Sequence, residues 1–216
     1  MENSTAEKYA EKAAFLAHEI KNPLAVIKAN VQLIELDNKG VNKKSFETVY
    51  ECIEKINTLI KENMEYIKSA KSAADSNVVQ VLKDILEKYD TKGGRIFSLK
   101  AETDKIEVNC GRELLESLFE NLIKNSVEAT KEGDSISIEA KVRRRKAVIK
   151  ITDTGCGISD GEIARVGELF YTTKKGGSGV GLFMCRRIVE QNGGRLKLEN
   201  NKPHGTKVTV ELNLKE

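Results

Sequence analysis

Apolar residues recur along the first third of the chain at alternating spacings of three and four. Ala10, Ala13, Ala17, Ile20, Leu24, Ile27, Val31 and Ile34 form one such seam. This is the heptad pattern of a helix packed along a partner, and it predicts a helix over about residues 5–37. Asn38-Lys39-Gly40 is a turn signal. A second seam follows at Phe46, Val49, Ile53, Ile56, Ile60 and Ile67, with the polar Asn63 in register. Two helices and a short loop predict an antiparallel hairpin. Leu16, Leu33, Cys52, Leu59 and Met64 add apolar positions that one partner helix cannot cover. Pairing two hairpins into a four-helix bundle covers them, so a homodimer is expected.

The seam stops at Ser69–Asn77, a small, polar run that reads as a linker. The expected domains are residues 1–72 and 73–216. Beyond the linker the period changes. An amphipathic helix is predicted over Val78–Tyr89 and strands over Arg95–Ala101 and Lys105–Val108. A long helix over Glu113–Thr130 precedes a hairpin, Ser135–Val142 and Lys146–Thr152, around Arg143-Arg144-Arg145. Residues 154–178 are glycine-rich and loop-like. A helix over Gly179–Gln191 and strands over Arg195–Glu199 and Thr206–Leu212 complete the chain. The class is a two-layer α/β sandwich on a largely antiparallel sheet.

Composition narrows the function classes. Basic and acidic residues number 36 and 33, a net charge of only +3, which argues against a dedicated nucleic-acid binder. The run Arg143–Lys146 reads as a solvated hairpin tip. Cys52, Cys110, Cys156 and Cys185 lie far apart with no CxxC pair. They read as buried or half-buried thiols in a reducing, cytoplasmic compartment rather than as a zinc site. No apolar run reaches about 18 residues, so no membrane span or membrane contact is expected. The N-terminus lacks a signal-peptide pattern.

Candidate chemistry lies in four places. His18, one of two histidines, sits in Ala17-His18-Glu19-Ile20-Lys21-Asn22-Pro23. It falls just outside the seam, where solvent reaches it. A histidine near neutrality is partly uncharged and nucleophilic, and a neighbouring carboxylate can accept its proton. Pro23 cannot donate to the Glu19 carbonyl, which predicts a local weakness and a hinge beside His18. Downstream, Asn121 and Asn125 leave one helix face, with Lys124 beside them. Asn125 offers a hard oxygen to Mg²⁺, and Lys124 could reach a phosphate. Asp153-Thr-Gly155-Cys-Gly157 ends an apolar strand, and an ionised Asp suits an exocyclic amine such as adenine's. Gly177-x-Gly179-x-Gly181 opens a helix, where backbone N–H groups suit an anion. It is neither a Walker A loop nor a dinucleotide fingerprint. Taken singly, these clusters read equally as surface amides, a strand-ending turn and a loop.

Their order, with Phe170-Tyr-Thr172-Thr173-Lys174 before the glycine run, resembles the transmitter region of bacterial two-component sensor histidine kinases, the sporulation-kinase-like branch above all. The similarity spans about residues 10 to 214. It implies a helical hairpin forming a dimeric four-helix bundle, followed by an α/β two-layer sandwich of the histidine-kinase/gyrase-type ATPase fold. It implies an ATP-dependent autokinase that passes phosphate from His18 to an aspartate of a response regulator receiver domain. His18 would accept the phosphoryl group, Glu19 would take or orient its proton, and Asn22 would position the group or a hydrolytic water. Asn125 would bind Mg²⁺, Asn121 and Lys124 would support the phosphates, and Asp153, with Gly155, Gly157 and Thr206, would hold adenine. Thr172, Thr173, Lys174, Gly177, Gly179 and Gly181 would form a lid over the phosphates. Leu169 stands where the family often has proline, and Lys21 where arginine is frequent; neither change removes a reactive group. Two other readings share these features: an ATP-binding scaffold that no longer phosphorylates itself, against which the intact His18-Glu19 pair argues, and a phosphatase of the regulator. Free ATP hydrolysis of the gyrase type is disfavoured because Asn121 stands where an acidic base would.

Overall fold

A computed structural model describes residues 20, 24–33, 46, 48–53, 56, 76–89, 96–168, 171–174, 177 and 179–215. The chain divides into two compact units, Met1–Met64 and Glu65–Glu216. In the first unit residues 24–33 and 48–53 are helical, as the seams predict. Leu24 and Val31 of the first seam, and Phe46 and Ile53 of the second, are exposed on the single chain. Pro23, with its expected hinge, lies outside the described residues, as does most of the Ser69–Asn77 linker.

The described part of the second unit begins inside that linker. Ser76–Asn77 form strand β1, which pairs antiparallel with β3, Glu107–Val108. Asn77 then caps helix α1, Val78–Lys88. Its side-chain oxygen accepts from the backbone N–H of Val79 at 3.1 Å and from that of Ile106 at 3.1 Å. The expected linker therefore ends two residues early, because Ser76 and Asn77 pair with β3 and the Asn77 side chain caps a helix rather than solvating a coil.

Five strands make the main sheet: β2 (Ile96–Ala101), β4 (Ser135–Arg143), β5 (Lys146–Asp153), β6 (Arg195–Asn200) and β7 (Thr206–Asn213), in the order β2-β4-β5-β7-β6. Only β2 and β4 run parallel, so the sheet is largely antiparallel. Helices α2 (Arg112–Ala129) and α4 (Gly181–Gln191) pack on one another, and α1 packs on α2. Period-two alternation puts Ile136, Ile138 and Ala140 of β4, Ala147, Ile149 and Ile151 of β5, and Val208, Val210 and Leu212 of β7 in the core. Leu115, Leu118, Phe119, Leu122 and Ile123 of α2 join them in one cluster. Each Val, Leu, Ile or Phe side chain among them, fully buried, contributes about 1.5–3 kcal/mol. This is the expected sandwich.

Two local expectations change. Among its described residues the loop-like stretch 154–178 contains a helical turn, α3, Asp160–Ile163, too short to show a period. The hairpin tip is Arg144-Arg145 alone, both at positive φ (49° and 62°) as a two-residue turn requires. Arg143 belongs to β4, where its guanidinium donates to Glu102. Cysteine burial divides as well. Cys52, Cys110 and Cys185 are buried, and burial pushes the Cys110 thiol up to about 12; Cys156 is exposed rather than buried. Native protein treated with a thiol-specific alkylating reagent should therefore lose one thiol rapidly, at Cys156. Peptide mapping that finds fast labelling at Cys110 or Cys185 would contradict this packing.

Candidate functional site

The site grows out of the alternation of β5. The inward positions run Ala147, Ile149, Ile151 and then Asp153, so the next core-facing side chain after three apolar ones is a carboxylate. It is 2% exposed. Its Oδ1 accepts from the backbone N–H of Gly155 at 3.0 Å and from that of Thr206 at 3.0 Å. The Ser126 hydroxyl of α2 also bonds the carboxyl group. Burial holds Asp153 above the usual carboxylate range, and these three donors oppose part of that rise. Thr206 opens β7 on the same inward face, beside the end of β5. Asp153 is thus a buried acceptor held at one oxygen by backbone donors.

Two glycines let the surrounding loops close. A methyl at Gly155 would lie 2.3 Å from the Ala129 carbonyl oxygen, the same oxygen that accepts from the Cys156 N–H. Gly205, at φ +100°, has its missing Cβ aimed 1.9 Å from the Asp153 carbonyl oxygen. Gly155 is therefore needed for its own chain's approach to α2. Asn200, whose side-chain oxygen accepts from the Ile158 N–H at 3.2 Å, anchors the loop beyond Gly157.

A second row of polar side chains lies along α2. Asn121, Asn125 and Glu128 follow at i, i+4 and i+7, so they share a stripe. Asn121 donates to the Ser117 carbonyl at 3.0 Å, and its oxygen meets the start of α4 at Gly181, where a Cβ would be 2.8 Å away. Lys124 is exposed, 3.9 Å from Glu128 Oε1. The segment before α4 reaches this row through Lys174. Its Nζ donates to Asn125 Oδ1 at 2.8 Å and to Glu128 Oε2 at 2.5 Å. Thr172 and Thr173 are exposed, and the Thr172 hydroxyl accepts from the Lys174 N–H at 3.1 Å. That hydroxyl fills the space a side chain at Gly177 would need, while Gly179 takes φ +69°. Tyr171 is fixed from behind by the Arg165 guanidinium, 4.2 Å from its ring centre. Among the described residues no group of three or more His, Cys, Asp or Glu could hold a metal by itself. His18, Glu19 and Asn22 lie outside the described residues.

Comparison with known proteins supplies the frame. Residues 11–72 match the family model of the His Kinase A (phospho-acceptor) domain. Residues 110–216 match that of the histidine kinase-, DNA gyrase B- and HSP90-like ATPase. The chain belongs to the histidine kinase family. Sporulation kinase D of Bacillus subtilis is 30% identical over 209 residues, which is 93% of this chain and 41% of that protein. The catalytic domain of histidine kinase ThkA superposes with a TM-score of 0.60 at 25% identity, over 65% of this chain and 94% of that one. ThkA in complex with the response regulator protein TrrA shares the fold, with a TM-score of 0.60 at 20% identity over 99% of this chain and 64% of the other. The chain spans less than half the length of sporulation kinases C, D and E of Bacillus subtilis.

In this chain the ATPase-type unit gathers its polar residues at two neighbouring places on α2. Ser126 faces Asp153, while Asn125 and Glu128 face Lys174. Sequence reasoning misses both Ser126 and Glu128. Ser126 hides inside an apolar helix stripe. Glu128 carries a signal, the i+3 spacing from Asn125.

Proposed function

We propose that this chain is an ATP-dependent histidine autokinase that phosphorylates His18 and passes the phosphoryl group to an aspartate of a response regulator. The observation that carries the reading is the order of two family matches in one chain, a phospho-acceptor domain containing His18 ahead of an ATPase domain. Residues 1–72 are assigned to dimerisation and phosphoacceptance, and residues 73–216 to ATP binding. The exposed seam residues of the first unit support the homodimer.

Asp153 accepts from the adenine amino group through the oxygen that backbone donors leave open, with Gly155, Gly157 and Thr206 shaping the adenine end. Asn121, Lys124 and Asn125, together with the segment Thr172–Gly181, serve the triphosphate. Asn125 suits Mg²⁺: its oxygen already takes a cation, the Lys174 ammonium, and Mg²⁺ needs few protein ligands when phosphates and water supply the rest. The bound ion would neutralise charge on the phosphates. In the transfer a ring nitrogen of His18 forms a bond to the γ-phosphorus as the bond to the β,γ-bridging oxygen breaks. ADP leaves, and Glu19 takes the imidazole proton. Asn22, one turn on, positions the group. Charge neutralisation and alignment supply most of the rate. No described helix is long and apolar enough to cross a membrane, and the reaction is assigned to the cytoplasm, where ATP is available.

Incubation with γ-labelled ATP and Mg²⁺ tests this. Label should enter the protein in an acid-labile, alkali-stable form and move to a receiver domain on its addition. Protein that binds ATP yet takes up no label would support the scaffold reading instead.

A further inference from the structure

The Lys174 ammonium marks a point where two oxygens of α2 converge. Asn125 Oδ1 is 2.8 Å from it and Glu128 Oε2 2.5 Å. The two residues are three apart and project from one side of the helix. Lys124 stands 3.9 Å from the other carboxylate oxygen of Glu128. Side chains of Glu128 and Lys174 are 41% and 42% exposed, so water and ions reach the point freely.

A compact cation held between an amide oxygen and a carboxylate oxygen is bound by the donor set that a hard divalent cation prefers. A carboxylate beside a triphosphate is otherwise out of place, because like charges repel unless a cation lies between them. We propose that Glu128 is a second oxygen donor for the divalent cation, directly or through one of its waters, and that Lys174 fills the cation position in the nucleotide-free protein. The proposal rests on the reading of Asn125 as the Mg²⁺ residue. One amide and one carboxylate form a weak site alone, so the cation enters with the nucleotide, whose oxygens complete the shell. Mg²⁺ and the ammonium cannot share the same two oxygens. Loading therefore releases Lys174 from α2, and the triphosphate becomes its nearest anion. The lysine thus links occupation of the cation site to the position of the segment before α4.

The test is the Mg²⁺ dependence of ATP binding, followed by calorimetry at a series of Mg²⁺ concentrations in the full chain. Glu128→Gln keeps the side chain's shape and removes its charge. The half-saturating Mg²⁺ concentration should rise about tenfold or more, the usual loss when a supporting group of a metal site is removed. Glu128→Asp, which keeps the carboxylate, should fall between the two. Adenosine, which has no phosphates, should bind the parent and both variants alike, showing that the unit is folded. A parental or lower Mg²⁺ requirement in Glu128→Gln would overturn the proposal, and a lower one would mean that Glu128 only restrains the lysine. If the parent binds adenosine but its ATP binding ignores Mg²⁺, the assignment of Asn125 fails, and this proposal fails with it.

Discussion

Asp153→Asn is expected to weaken ATP binding about 30- to 150-fold, from a loss of about 2–3 kcal/mol. The side-chain oxygen of asparagine can still accept from the N–H groups of Gly155 and Thr206, which bond Asp153 Oδ1 in the parent. Its NH₂ then replaces the remaining carboxylate oxygen. A donor faces the adenine amino group, and both are left unpaired in a buried place. Calorimetric titration with ATP measures the loss, and titration with GTP gives the control, since a carbonyl replaces the amino group there. An Asp153→Asn variant with parental ATP affinity would remove Asp153 from the nucleotide site.

The same substitution has a second, opposite signature. Burial raises the Asp153 pKa above its ordinary value of 3.8. The folded protein therefore holds that proton more tightly than the unfolded chain does. Below pH 3.8 both states are protonated and the group costs nothing. As pH rises from 3.8 through the raised value, the parent loses stability, and above it the loss is constant. Asp153→Asn has no such loss. Its stability relative to the parent should improve as pH climbs through that window and then level off, measured by urea unfolding at a series of pH values. A difference that does not change with pH would contradict the assigned burial cost.

Gly205→Ala is expected to destabilise the second unit by about 2–5 kcal/mol. Roughly 1–2 kcal/mol comes from placing a side chain at positive φ, and about 1–3 from overpacking. The contact is with backbone: the new Cβ would meet the Asp153 carbonyl oxygen at 1.9 Å and Thr154 Cα at 2.9 Å. No rotamer relieves it. Relief requires the backbone at Gly205 to move, and the next residue is Thr206, whose N–H holds the Asp153 carboxylate. Thermal unfolding should show the lower stability, and ATP affinity should fall with it. An alanine variant that melts like the parent would contradict the close approach of β5 and β7 at this end.

Where a long period carries the information, the fold is legible in the sequence. Ala147, Ile149 and Ile151 alternate, and that alternation alone puts Asp153 on the inward face of its strand. The seams of the first unit are equally clear, and the helical residues 24–33 and 48–53 follow them. What stays hidden is short or distant. Ser76–Asn77 is a strand only because Glu107–Val108 lies beside it, and two polar residues have no period. One helical turn at Asp160–Ile163 has none either. The Lys174–Glu128 contact joins residues 46 apart, and only the packing of α4 against α2 brings that segment near. The glycine at 155 suggests room for a ligand, whereas the group that needs the room is the Ala129 carbonyl.

The central claim is that ATP bound through Asp153 phosphorylates His18. The most direct measurement sets the parent beside His18→Gln and scores incorporated γ-phosphate and ATP affinity in the same preparations. The account predicts acid-labile label in the parent, none in His18→Gln, and equal ATP affinity in both. Label that persists in His18→Gln would contradict it.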